Sequence, residues 1–162
     1  MLIMYYDTIS QSYEELYGEE QLQKARIILE YIAPRGLLLD VGAGTGICTK
    51  KFELYCTCIA LDPSSELLKK YNGFKVLGVA EALPFPDNSF DTIISITVLH
   101  HTYIQQSLKE IFRVAKKDAQ IAITILKKSK VDLGLFVAFK KIDIGEGLGN
   151  YIKLDHLILY DL

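Results

Sequence analysis

The stretch of this chain best suited to chemistry is Asp40-Val41-Gly42-Ala43-Gly44-Thr45-Gly46, an acid followed by three glycines at alternate positions. Glycine permits a tight turn and lets a ligand approach backbone that a Cβ would shield. The dinucleotide fingerprint has the spacing G-x-G-x-x-G and opens on a helix that receives a pyrophosphate. Here the glycines run G-x-G-x-G, and Asp40 stands two residues before the first of them. A carboxylate so placed would repel a pyrophosphate but could receive the amino group of a zwitterionic ligand. The pattern points away from a nicotinamide dinucleotide and toward a nucleoside-type cofactor with a cationic end. The alternative is an ordinary βα loop that carries several glycines.

Asp62 follows Gly42 by twenty positions. At the end of a second strand it could accept both hydroxyls of a ribose, or it could be an acid at a helix start before Pro63. Further on, Pro84, Pro86 and Asn88 force a turn, which leaves Ala80 and Glu81 at the ligand edge with Leu83 near the face of a base. His100 and His101 are the candidates for a group that titrates near neutrality beside such a ligand, so either could act as a general base. The alternative is that the pair packs or caps at a helix start. Lys127, Lys128 and Lys130 could meet an acidic substrate or form a solvated loop, and His156 is assigned no role. The three cysteines are Cys48, Cys56 and Cys58. They lack the two-residue spacer and second pair of a metal knuckle, so they read as small buried hydrophobes in a reducing compartment, with no metal expected.

These residues need elements to position them. Leu37, Leu38, Leu39 and Val41 suit a strand buried on both faces. Before it, Leu22, Ala25, Ile28, Leu29 and Ile32 recur at helical spacing, after a tyrosine-rich opening segment over 5–17 that could form a short helix. Beyond it the pattern predicts a helix over 46–54, a strand over 57–61, and a helix capped by Ser64 and ending at Tyr71. Strands follow over 74–79 and 90–96, then an amphipathic helix marked by Ile104, Leu108, Ile111, Phe112 and Ala115, then a strand over 120–126. Residues 131–141 read as helical, 145–150 as a glycine-rich loop, and 156–160 as a terminal strand. This alternation implies an α/β fold with a doubly wound, mostly parallel sheet.

Composition narrows the classes. The 162 residues are half hydrophobic and 23% charged, which suits one globular domain over residues 1–162. The net charge of −2 offers no general attraction to nucleic acid. No apolar run approaches the roughly 20 residues that span a bilayer, and the N-terminus lacks the basic flank of a signal peptide, so a cytoplasmic location is expected.

Taken in order, DVGAGTG, ALDPS, AEALPFPDNSFD and VLHH resemble the class I S-adenosylmethionine-dependent methyltransferases. The nearest branch includes ubiquinone-biosynthesis and wobble-uridine tRNA methyltransferases. The resemblance implies a Rossmann-like fold and S-adenosylmethionine as cofactor. It would place the methionine part on Asp40, Gly42, Ala43, Gly44 and Gly46, and the ribose on Asp62 beside Pro63. Ala80 and Glu81 would border the adenine, Ile96 and Thr97 would line the sulfonium through backbone contacts, and Tyr13 would close over the cofactor. The methyl acceptor would be an oxygen, nitrogen or carbon of a small molecule, an RNA or a protein. The alternative is a non-catalytic S-adenosylmethionine-binding subunit that acts through a partner.

Two departures from the family matter. Lys116-Lys117-Asp118-Ala119 replaces the glycine-rich turn before the fifth strand. The region after Leu126 is short, so a sheet lacking part of its seven strands is expected. The segment LGLFVAF, residues 133–139, reads as a core helix, or else as a surface for a second copy or a small activating protein.

Overall fold

The computed structural model describes the backbone of residues 13–126, 129–136, 140–143 and 155–161, and the side chains of 18–126 and 129–136. Parallel strands β1 (Leu37–Val41), β2 (Thr57–Asp62), β3 (Phe74–Leu77), β4 (Phe90–Ile96) and β5 (Ala115–Leu126) form the body of one sheet. β6 (Lys140–Asp143) and β7 (Asp155–Asp161) complete it in the order β3-β2-β1-β4-β5-β7-β6. β7 runs antiparallel to both neighbours. Among the described residues the sheet therefore has seven strands, and the expectation of an incomplete one is corrected. The short C-terminal part suffices because β7 inserts beside β5 along seven register pairs, from Gln120↔Asp161 to Leu126↔Asp155.

Alternating side chains send the central strands' apolar residues to two faces. Leu38, Cys58, Ile94, Ile96 and Ala122 meet Ala25 and Ile28 of helix α1 (Tyr13–Tyr31) and Ile32 just after it. On the other face, Leu39, Val41, Leu61, Ile93, Ile121 and Ile123 meet Leu108 and Ile111 of helix α4 (Ile104–Val114). Burial of a side chain such as Ile93 contributes about 1.5–3 kcal/mol, so these two layers hold the strand ends in register. Only the end of the expected 5–17 segment lies within the described residues, as the start of α1.

The helices between β1 and β3 are shorter than the spacing predicts. α2 is confined to Thr49–Phe52 and α3 to Ser65–Leu68. Gly46 has φ +72°, which no α-helix accommodates, so α2 starts only after the glycine turn is complete. Ser64 caps α3 as expected, its hydroxyl accepting the Leu67 amide at 3.2 Å.

Residues 131–141 also differ from expectation. A 3-10 turn covers Leu133–Phe136, and Lys140 already belongs to β6. Asp132 accepts the Gly134 amide at 2.8 Å, a local side-chain turn that competes with helix formation. Phe136 is fully buried in the α4-side core, with Leu133 and Leu135 packed against that core. Residues 137–139, 127–128 and 145–150 lie outside the described residues, as does the side chain of His156.

The sequence before β5 forms no separate turn. β5 begins at Ala115, directly after α4, and pairs with Phe90 across a register shift before regular pairing resumes at Thr92↔Gln120. Phe112, expected on the buried face of α4, is exposed, while Ser107 and Val114 are buried. Among the described residues, no helix is long and apolar enough to cross a membrane, and no cluster of side chains could hold a metal ion.

Candidate functional site

The C-terminal ends of β1, β2 and β4 lie side by side, because Asp40 registers with Ala60 on one neighbour and Ile94 on the other. Asp40 is 1% exposed, and its Oδ2 accepts the Thr49 hydroxyl at 2.7 Å. Burial pushes its pKa up to about 7; the Thr49 hydrogen bond opposes that shift and the negative charge of Asp62 reinforces it. The glycine turn follows directly. The Gly42 and Ala43 amides both donate to the Leu61 carbonyl, at 2.8 and 3.0 Å, and so tie the turn to the end of β2.

Gly42, Gly44 and Gly46 all have positive φ. At Gly42 an added Cβ would lie 2.4 Å from the Val98 side chain, and at Gly46 it would lie 2.4 Å from the Tyr71 ring. The protein's own side chains therefore fill the space beside these two glycines. The positive φ values bear out the tight turn expected of the sequence, and this packing is a further reason for glycine. Thr45, between them, is fully buried, and its hydroxyl has no hydrogen-bond partner among the described residues.

Asp62 is 7% exposed and organises the turn from the β2 side. Its Oδ2 accepts the Gly44 amide and its Oδ1 the Ser64 amide, both at 2.8 Å. A carboxylate presents about four lone-pair sites, and these two amides account for two of them. Pro63, half-buried, follows it.

Beyond β3, Ala80 is buried and Leu83 is 4% exposed. The Glu81 carboxylate accepts the Tyr103 amide at 3.0 Å, at the start of α4, where Tyr103 provides no side-chain cap of its own. The 83–89 segment is held by α4. Arg113 donates to the carbonyls of Leu83 and Phe85 and to the carboxylates of Asp87 and Glu110, while Glu110 accepts the Leu83 amide. Hydrogen bonding from Arg113 lowers the Glu110 pKa.

At the end of β4, Ile96 is buried and Thr97 adopts φ +61°. For a β-branched residue this conformation costs about 1–3 kcal/mol. It is held by hydrogen bonds from the Thr97 amide to the carbonyl and hydroxyl oxygens of Thr124 and by the ammonium of Lys24. A 3-10 turn, Leu99–His101, then carries both histidines, whose ring centroids are 3.9 Å apart. His101 is exposed on one side, yet the protein around it lowers its pKa through desolvation.

The structure thus gathers Asp40, Gly42, Ala43, Gly44, Gly46 and Asp62 into one turn, and joins Ile96, Thr97, His100 and His101 in one continuous segment beside it. Tyr13 opens α1, and its side chain lies outside the described residues. Sequence reasoning missed Lys24, Thr49 and Thr124. Lys24 gave one signal: it lies one helical turn before Ile28, on the apolar stripe.

Comparison with known proteins gives the family of the chain. A family model described as methyltransferase domain matches residues 39–123, just over half of the chain. An uncharacterised protein of Methanocaldococcus jannaschii is 34% identical over 75% of this chain and 50% of its own length. The ubiquinone/menaquinone biosynthesis C-methyltransferase UbiE of Salmonella arizonae is 32% identical over 59% of this chain and 44% of its own. The chain spans half or less of the length of these curated relatives. Among solved structures, the complex between the Haloferax volcanii Trm112 methyltransferase activator and a methyltransferase superposes with a TM-score of 0.76 over 96% of each chain, at 14% identity, a likeness of fold. On the family match and the relatives together, this chain belongs to the methyltransferase domain family.

Proposed function

We propose that this chain is a single-domain, S-adenosylmethionine-dependent methyltransferase acting on an oxygen, nitrogen or carbon nucleophile of a small molecule, an RNA or a protein. The observation that carries the reading is Asp40, a buried acid at the end of β1, against a glycine turn shaped by Asp62. The residues present fit such a ligand. Asp40 suits a cationic amino group, and the buried Thr45 hydroxyl adds a polar atom in the same turn with no partner among the described residues.

In this reading Asp40 and the turn of Gly42, Ala43, Gly44 and Gly46 hold the amino-acid end. Asp62, beside Pro63, holds the ribose, Ala80 and Glu81 border the adenine, and Tyr13 closes over the site. Ile96 and Thr97 flank the reacting centre. When bound, the cofactor supplies an electrophilic methyl group whose reactivity is its own. The protein orients the acceptor, excludes water and removes a proton where the nucleophile carries one. His101 is assigned that proton, with His100 as its neighbour; desolvation favours the neutral imidazole that a base requires.

Titration with S-adenosylmethionine and with NAD by calorimetry, followed by tracing labelled methyl groups into small molecules, RNA and protein, tests the reading. Binding of the first ligand alone with a labelled product is expected; no binding of S-adenosylmethionine would overturn it. A second reading is a cofactor-binding subunit that works through a small partner protein or a second copy of itself. It is favoured by β3, an edge strand on which Phe74 and Leu77 are 70% and 61% exposed. Binding without any labelled product would select that reading.

A further inference from the structure

Lys24 of α1 is fully buried, and its Nζ donates to the Thr97 hydroxyl at 2.8 Å and pairs with Glu20 Oε1 at 2.8 Å. A buried ammonium is expensive to desolvate and is tolerated only with partners of this kind. Its partner Thr97 is the left-handed residue at which β4 ends. Thr97 is also bound to β5: its amide donates to Thr124, and the two threonine hydroxyls lie 3.2 Å apart. The next residue, Val98, fills the space beside Gly42, and its carbonyl accepts the His101 amide at 2.9 Å. The ammonium therefore stands at the root of the segment that joins the glycine turn, the strand end and the histidine turn.

We propose that Lys24 is a positioning residue of the cofactor site. Its ammonium, charge-balanced by Glu20, holds the Thr97 hydroxyl and with it the left-handed main chain on which Val98 and the Leu99–His101 turn are set. A threonine has no intrinsic preference for this conformation, and the hydrogen bonds on its amide and hydroxyl supply one. The effect on ligand affinity rests on the S-adenosylmethionine reading above; the effect on the segment itself stands on this geometry alone.

The test uses Lys24→Met, which keeps an unbranched apolar stem, together with Thr97→Val, which removes the hydroxyl, and Thr97→Ser, which retains it. In the ligand-free protein, Lys24→Met should speed amide hydrogen exchange over residues 98–102 by about tenfold or more while leaving β1 and β2 unchanged. Calorimetry should show S-adenosylmethionine affinity reduced about fivefold or more, the loss of a charge-assisted hydrogen bond being only partly felt at the ligand. Thr97→Val should reproduce both effects, Lys24→Met should add nothing in its presence, and Thr97→Ser, which keeps the hydroxyl, should show slower exchange over 98–102 than Thr97→Val. Unchanged exchange over 98–102, or full additivity of the two substitutions, would overturn the proposal. Should Lys24→Met not fold, Glu20→Gln replaces it, and faster exchange in the same segment is again required. If the wild type binds no S-adenosylmethionine, the cofactor reading fails, while hydrogen exchange still decides the role of Lys24.

Discussion

Asp62 and Gly44, eighteen residues apart, are joined by a 2.8 Å hydrogen bond from the glycine amide to the carboxylate, so the acid that ends β2 shapes the turn that ends β1. One substitution therefore reaches two features. Asp62→Ala should weaken S-adenosylmethionine binding by about 1–3 kcal/mol through loss of charge-assisted hydrogen bonds. It should also lower the melting temperature without ligand. An unchanged affinity by calorimetry would mean that the ribose lies elsewhere.

Asp40 makes a prediction about pH. Its pKa is about 7 when folded, against 3.8 for an ordinary aspartate, so between those values the folded chain holds the extra proton. The stabilisation tied to that proton is complete below pH 3.8 and is lost as pH rises through about 7. Urea unfolding of ligand-free protein should show the wild type losing stability relative to Asp40→Asn across this window. Ionised Asp40 is the form that receives an amino group, so binding of S-adenosylmethionine below about pH 7 should release a proton. Calorimetry in buffers of different ionisation enthalpy measures that release.

The lowered pKa of His101 leaves its imidazole neutral across physiological pH. Turnover should then fall on acidification only below pH 6.5, the ordinary histidine value. His101→Ala should remove that acidic limb and reduce kcat by roughly 10²–10⁴-fold, with cofactor affinity intact. Equal turnover in the variant would retire the general-base role.

Gly46→Ala should destabilise the protein by about 2 kcal/mol or more, because a Cβ there meets the Tyr71 ring at 2.4 Å in a backbone region that L residues avoid. Chemical denaturation reads the loss. In the double variant Gly46→Ala with Tyr71→Ala, part of the steric conflict is relieved, so the two costs should be less than additive.

Removing the Arg113 side chain loosens the 83–89 segment on α4, although the bonds of Asn88 and Ser89 to main-chain carbonyls persist. Arg113→Ala should accelerate amide exchange at Leu83, Asn88 and Ser89, whose amides bond to Glu110, Arg113 and Val114. Exchange in β1 should be unaffected. Equal protection of both regions in variant and wild type would show that the clamp is dispensable.

The parts of the fold legible in the sequence were those written locally. Strand β1, the glycine turn and the Ser64 cap depend on neighbours within a few positions, so residue type and spacing disclose them. The seventh strand joined the sheet despite the short C-terminal region, because β7 finds its register on β5, a long-range pairing that no local pattern records. The early start of β5 has the same origin, since Ala115 is drawn into pairing with Phe90. In the candidate site, Asp40 and Asp62 were legible as acids at strand ends. The contact between Lys24 and Thr97 spans 73 positions, and the left-handed backbone of a threonine carries no residue-type signal. Gly42 was legible as a turn glycine, but its packing against Val98 is a second reason that the sequence could not supply.

That reason has a mechanical consequence. Val98 occupies the volume that a side chain at position 42 would need, so the loops after β1 and β4 interlock like a tongue in a slot. Neither loop can shift toward the other, and a displacement of one is transmitted to the other by contact. A relative carrying alanine at position 42 would need a smaller residue at position 98, so the two positions should vary together. The histidine turn, hung from the Val98 carbonyl, inherits the same constraint and senses whatever presses on the glycine loop.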